Sequence, residues 1–349
     1  MRKFLTLLVL SLSLIAANLP AQPHTPDLSA ISFPNSGAPA AQHEFLLGLF
    51  QLHNFEYADA AQHFRAAQKT DPHFALAYWG EAMTFNHSVW HEQDQAAALA
   101  VLARLAPTPE ARQATVSAPR EKLYLHSLDI LYGSGSRAQR DHAYEEAMAN
   151  LHSLYPADLE ATAFYALSIL GAAENGRDFR IYMRAAAVLE AVFPQHPNHP
   201  GVLHYLIHCY DDPIHAPLGL RPATLYAKVA PEAGHAQHMV SHIFLALGMW
   251  EPVIKANETA IAVVRHQREL INKPPQACGH YFTWLEYSYL QVGRVPEARK
   301  LLEDCQRSAQ LNSTPSGVID SDRSDPGAYA AMRSIFLIDT QLWTDPIAF

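Results

Sequence analysis

Two histidine pairs, His204/His208 and His238/His242, are each spaced one helical turn apart, and the second pair follows the first by 34 positions. An i,i+4 spacing puts both rings of a pair on one face of a helix. If a repeat stacks the two faces side by side, four imidazoles converge. In helices packed roughly 8–10 Å apart, rings reaching inward from both could share one ion at the roughly 2.0–2.1 Å bond length that zinc prefers. Neutral nitrogen donors suit zinc, copper or iron and poorly suit calcium or magnesium. Asp211, three residues after His208, is a candidate ligand, or a carboxylate that orients an imidazole from behind.

With 20 histidines in 349 residues, about one i,i+4 pair is expected by accident. Three occur, His87/His91 being the third, so the pairs alone carry little weight and the common 34-residue offset carries more. The competing readings are histidines hydrogen-bonded in a polar groove wall without metal, and histidines that contact a peptide. Trp90 between His87 and His91 marks that pair as a loop-packing element, and His199 beside Pro200 reads as an entry-turn residue. A metal site open to a groove leaves one position for water, the catalytic arrangement. The HExxH pattern is absent, because His91-Glu92 lacks the second histidine, and no GxSxG elbow, Walker loop or dinucleotide fingerprint occurs. No catalytic residue is assigned, and whether the protein is an enzyme stays open.

The elements that must position these rings are helical. The chain has 49% hydrophobic and 17% charged residues, enough for a large core, and its length favours repeats or two domains. Net charge is -9 and the 25 Lys and Arg form no dense run, so a nucleic-acid partner is not expected. Arg2 and Lys3, an apolar run from Phe4 to Ala17, then Pro20 and Ala21, have the layout of a secretory signal over residues 1–21. Cleavage there removes two positive charges and takes -9 to -11. No second apolar stretch reaches membrane length, so the expectation is a periplasmic or secreted protein, off the membrane after cleavage. Residues 22–40 read as a flexible linker rich in Pro, Ser and Gly. Of three cysteines, Cys278 opens one expected helix and Cys305 ends the next, where a bridge or two buried thiols both fit. Cys209 reads as core packing.

From Ala41 onward, Leu47, Gly48, Ala60, Phe64, Ala67 and Pro72 fit an L-G, A-x3-F, P pattern of two antiparallel helices. Further helices are expected near 120–132, 137–155, 158–173, 178–193, 200–210, 217–229, 233–247, 250–270, 279–292, 295–310 and 328–342, with Asn312 to Gly327 as an exposed loop. Pro197 and Pro231 repeat the 34-residue offset independently of the histidines, and Gly248 and Gly293 mark turns between helices. No period-2 strand pattern is evident. The fold class expected is all-α.

This pattern resembles the tetratricopeptide repeat family over most of residues 41–349. The segments HPGVLHYLIHCYDDP (199–213) and HAQHMVSHIFLALGMW (235–250) are similar to a histidine-rich bacterial and fungal subgroup of unassigned activity. The resemblance implies an α-solenoid, a superhelix of antiparallel helix pairs whose first helices line a concave groove through their second, fifth and ninth positions. His204 and His238 then take the fifth position, His208 and His242 the ninth, and His235 the second, with His280 at the matching second position of the next repeat. All would face the groove, and Trp79 and Tyr205 are the aromatics expected to edge into it. Glu286 takes an inward-packing eighth position, so it is not enlisted as a general base. The chain reaches Phe349 where a partner helix should begin, so the last helix is expected to lack a cap. Two functions follow: an exported repeat protein that holds a divalent transition metal in its groove and acts on a small molecule there, or a metal-free adaptor that docks a peptide or protein. Clustered imidazoles would also make such a groove respond to pH.

Overall fold

The computed structural model describes residues 26–174, 176–311 and 324–348. Signal-like residues 1–21 and most of the loop after Leu311 therefore lie outside the described residues. Among the described residues sixteen α-helices follow one another: α1 Gln42–His53, α2 Tyr57–Thr70, α3 Ala75–Met83, α4 Gln95–Leu105, α5 Pro109–Ala114, α6 Pro119–Leu131, α7 Arg137–Leu154 and α8 Leu159–Gly171. Then come α9 Phe179–Glu190, α10 Pro200–Tyr210, α11 Ala216–Val229, α12 Gly234–Ala246, α13 Trp250–Leu270, α14 His280–Gln291, α15 Val295–Leu311 and α16 Asp325–Thr340. Between α3 and α4 lies a small hairpin, β1 Asn86–His87 paired antiparallel with β2 Glu92–Gln93. Two-residue strands are too short to show alternation, which is why periodicity missed them. No helix of the described residues is long and apolar enough to cross a membrane.

Most helices pack on the next in sequence, and alternate helices touch as well, α10 on α8 and α12, and α14 on α16. Local chemistry sets the ends that matter here. His199 accepts the Val202 N–H and Pro200 opens α10 without a donor to lose. Asp158 accepts two N–H groups at the start of α8. Gly248 ends α12 with a φ of 68°, a left-handed turn that glycine adopts without a Cβ clash.

One large core runs from Ile31 through Ala256, and a second, smaller one from Ile254 through Ile347, with α13 contributing to both. The segment expected to be a flexible linker is packed in part: Ile31 and Phe33 are buried, and Phe33 lies against Phe45, Trp79 and Tyr124. Two apolar residues in a polar lead are enough to dock it. The last helix begins at Asp325, with Ser324 as its cap, so the 324–327 end of the expected loop is helical or capping. Cys278 and Cys305 form a disulfide, tying the start of α14 to α15. Cys209 is buried and free, as expected for core packing. Ile338, Leu342 and Trp343 remain exposed at the end of the array.

Candidate metal centre

The histidines do come together, though not as one group of four. Among the described residues, donor atoms of His238, His242 and His280 lie within 4.8 Å of one another, and so do those of His204, His208 and His235. Each triad thus takes two rings one turn apart on one helix and a third from the first turn of the helix two further on: α12 with α14, and α10 with α12. His280, expected at the periphery, is a full member, and the four rings of the two pairs are divided between the triads.

The tautomers in the first of these triads are legible. Asn257 Nδ2 donates to Val253 O at 2.9 Å, which turns its Oδ1 toward His238, and His238 Nδ1 donates to that oxygen at 2.7 Å. His242 Nδ1 donates to Asp211 Oδ2 at 2.8 Å. With Nδ1 the donor in both rings, their Nε2 atoms face each other 3.0 Å apart, and in the neutral form of each ring that atom carries a lone pair. Two lone pairs at that distance repel unless a cation lies between them. Two nitrogens bound at roughly 2.0–2.1 Å to a common ion would be about 3.0–3.4 Å apart. Asp211 thus bonds to His242 on the side away from His238, where a carboxylate can orient an imidazole. Trp284 packs at a tilt against His242 at 4.3 Å and meets His238 edge-on at 5.0 Å.

In the other triad His204 Nδ1 donates to the backbone carbonyl of His53 at 2.6 Å, which again leaves Nε2 unprotonated, 3.1 Å from His208 Nε2. The connection between α1 and α2 holds this triad. Phe55 has a φ of 57°, a left-handed conformation unusual for a bulky residue, and its ring packs 4.3 Å from His204 and 5.7 Å from both His208 and His235. Glu56 accepts the His235 N–H at 3.1 Å and so supplies a cap that α12 lacks of its own. Asn54 accepts the Tyr226 hydroxyl, and the Tyr226 ring stacks on His204.

A third group, His53, Glu160 and His199, has the same donor types within 4.8 Å, but its bonding is complete. His53 Nε2 and His199 Nε2 donate to the two oxygens of Glu160 at 2.7 and 3.0 Å. His53 Nδ1 accepts the Tyr205 hydroxyl, and His199 Nδ1 accepts the Val202 N–H. The close approach of α10 to His53 needs Gly201, where a Cβ would fall 2.3 Å from the His53 ring. His199 is thus an entry-turn residue as expected, with a second role toward Glu160.

Electrostatics agrees with the tautomers. Burial pushes His204 down to about 3, with the neighbouring imidazoles of His53 and His242 adding to it against the raising effect of the His53 carbonyl. Burial and neighbouring imidazoles hold His208, His235 and His238 well below the usual histidine range. Neutral imidazole is the form that binds metal. Burial alone would raise Asp211, but His242 beside it and Arg177 hold it below the usual carboxylate range. Glu160 is likewise pushed up by burial and pulled well below its ordinary value by His199 and His53. Glu56, mainly through burial, rises to about 7.

A cavity of about 770 Å³ opens over both triads, with His208 and His235 from one and His242 and His280 from the other in its wall, and Asp211 beside them. His204 and His238 are fully buried behind it. The β1–β2 hairpin forms the opposite side. His87 stacks on Tyr57 at 4.1 Å, and Trp90 meets His235 edge-on at 5.6 Å, so the His87/His91 segment is a packing element, as expected, that also faces the cavity. Tyr281 adds an aromatic wall. Trp79 and Tyr205, the aromatics expected at the groove, are fully buried: Trp79 packs among Phe33, Tyr124 and Phe164, and Tyr205 bonds to His53. Sequence reasoning missed His53, Phe55, Glu160, Asn257 and Trp284. An asparagine on the apolar face of a helix was a usable signal for Asn257; His53 and Glu160 lie 107 positions apart and offered none.

No protein-family model matches this chain, and a search of curated proteins finds no match to it.

Proposed function

We propose that this chain is an exported tetratricopeptide-like repeat protein, its helix pairs stacked as a superhelix, that binds a divalent transition ion through His238, His242 and His280. The observation that carries this reading is the pair of Nε2 lone pairs 3.0 Å apart, each ring held in that tautomer by an acceptor on its far side. Zinc, copper and iron are the ions these donors favour. Three protein nitrogens leave a position toward the cavity for water or a small molecule, which is where any reaction would take place. Export is supported by the signal-like start and by the Cys278–Cys305 disulfide, which persists in oxidising compartments.

The competing cation is a proton held between the two nitrogens. Elemental analysis of protein purified without a metal-affinity tag separates the two. The expected result is at least about one ion per chain, with one ion lost in His238→Ala at unchanged helicity. Metal-free protein that takes up no zinc or copper at neutral pH, yet retains a peptide in its cavity, would instead establish the adaptor reading.

A further inference from the structure

We infer that His204, His208 and His235 hold a second transition ion, so that two ions face one cavity. The inference rests on the reading of His238, His242 and His280 for the class of ion, and on its own geometry for the site. The construction is the same, one repeat earlier. Two rings a turn apart on α10 meet a ring from the first turn of α12, as two rings on α12 meet His280 from the first turn of α14. His204 is held by the His53 carbonyl with its Nε2 lone pair turned to His208.

His235 supplies the independent observation. Its Nε2 is buried and has no hydrogen-bond partner, although leaving a buried nitrogen unpaired is costly. The ring is nonetheless fixed: the backbone N–H beside it is anchored on Glu56, and Phe55 and Trp90 pack on it from two sides. Phe55 itself is held in a left-handed conformation to do so. An immobilised imidazole with an idle nitrogen, a donor-atom separation within 4.8 Å of two others, is a ligand position. The contrast with His53 and His199, whose ring nitrogens all have partners, shows that the fold can satisfy buried imidazoles where no ion is needed.

The two triads adjoin. The His235 and His238 rings are 6.5 Å apart between centroids, and His208, His235, His242 and His280 line the same cavity. Two ions placed there are reachable by one small molecule at once, and their unpaired electrons, if copper(II) is bound, are near enough to couple.

The test titrates metal-free full-length protein with zinc by equilibrium dialysis and with copper(II) by electron paramagnetic resonance. Two ions per chain and a spectrum broadened by spin coupling are expected for the unmodified protein. His235→Ala should retain one ion and give a narrow, isolated copper signal, with His208→Gln as a second variant if the first does not fold by circular dichroism. One ion per chain that survives His235→Ala and His208→Gln but is lost in His238→Ala overturns this inference and leaves the first site standing. One ion lost in His235→Ala but kept in His238→Ala does the reverse, and no ion in the unmodified protein removes both.

Discussion

The His53–Glu160–His199 cluster and the two histidine triads share a residue type, and the cluster touches the His204 triad through the bond from His204 to the His53 carbonyl. They differ by one carboxylate. Where Glu160 sits between two imidazoles, each ring has a proton to give and an acceptor for it, and the lone pairs left over meet a hydroxyl and a backbone N–H. In the triads the acceptors, Asn257, Asp211 and the His53 carbonyl, lie on the outer side of the rings, so lone pairs turn toward each other. The first arrangement is complete as it stands. The second is the one that we propose a cation completes.

Breaking the complete cluster should have the largest effect. Glu160→Ala leaves two buried imidazoles without acceptors, and loss of about 3–5 kcal/mol in urea denaturation is expected. A loss under about 1 kcal/mol would put the cluster and the triads on the same footing and remove the distinction drawn between them.

Glu286 sharpens the comparison from a third side. It is fully buried on α14, neither carboxyl oxygen has a hydrogen-bond partner, and burial, with Asp339 adding to it, pushes it up to about 9. The unfolded chain releases this proton near the ordinary glutamate value of 4.5. Between those values the folded state binds one proton more, so stability falls as pH rises, by up to about 1.4 kcal/mol per pH unit. Glu286→Gln should flatten that slope in melts run from pH 5 to pH 9. An unchanged slope would mean that an unpartnered buried group carries no penalty here, and the argument from unpaired histidines would weaken with it.

The smallest effect is expected at the acceptors behind the triad. Asp211→Ala removes the group that orients His242 without touching a ligand atom, and zinc affinity should fall about 10–100-fold. The same substitution should cost less metal-free stability than Glu160→Ala, because the Asp211 side chain is 30% exposed and water can replace part of its bond to His242. Calorimetric titration gives the affinity and urea denaturation of the metal-free protein the stability, and an unchanged affinity would mean His242 does not bind the ion through Nε2.

Much of this was legible beforehand. Helices α10 and α13 have the bounds that Pro200, Gly248 and Trp250 imply, because proline and glycine punctuate a chain locally. The two His pairs were legible for the same reason, since i and i+4 share a face whatever the helix packs against. Trp79 and Tyr205 were not, because an aromatic at helical spacing has several faces to choose from, and only neighbouring helices decide which is covered. The hairpin around Trp90 was too short to carry a pattern.

Local order alone determined the all-helical character, the histidine pairs on α10 and α12, and the nearness of Cys278 to Cys305. These depend on residues a few positions apart or on adjacent helices. The tertiary structure decided how the rings are shared out: His235 goes to the α10 pair and His280 to the α12 pair, and a turn near residue 55 closes over the first of them. It also decided which nitrogen of His204, His238 and His242 faces the neighbouring ring, through His53, Asn257 and Asp211. A side chain's chemistry is written in its identity, but the direction of its lone pair is set by whatever accepts its proton, and that partner arrives from elsewhere in the chain.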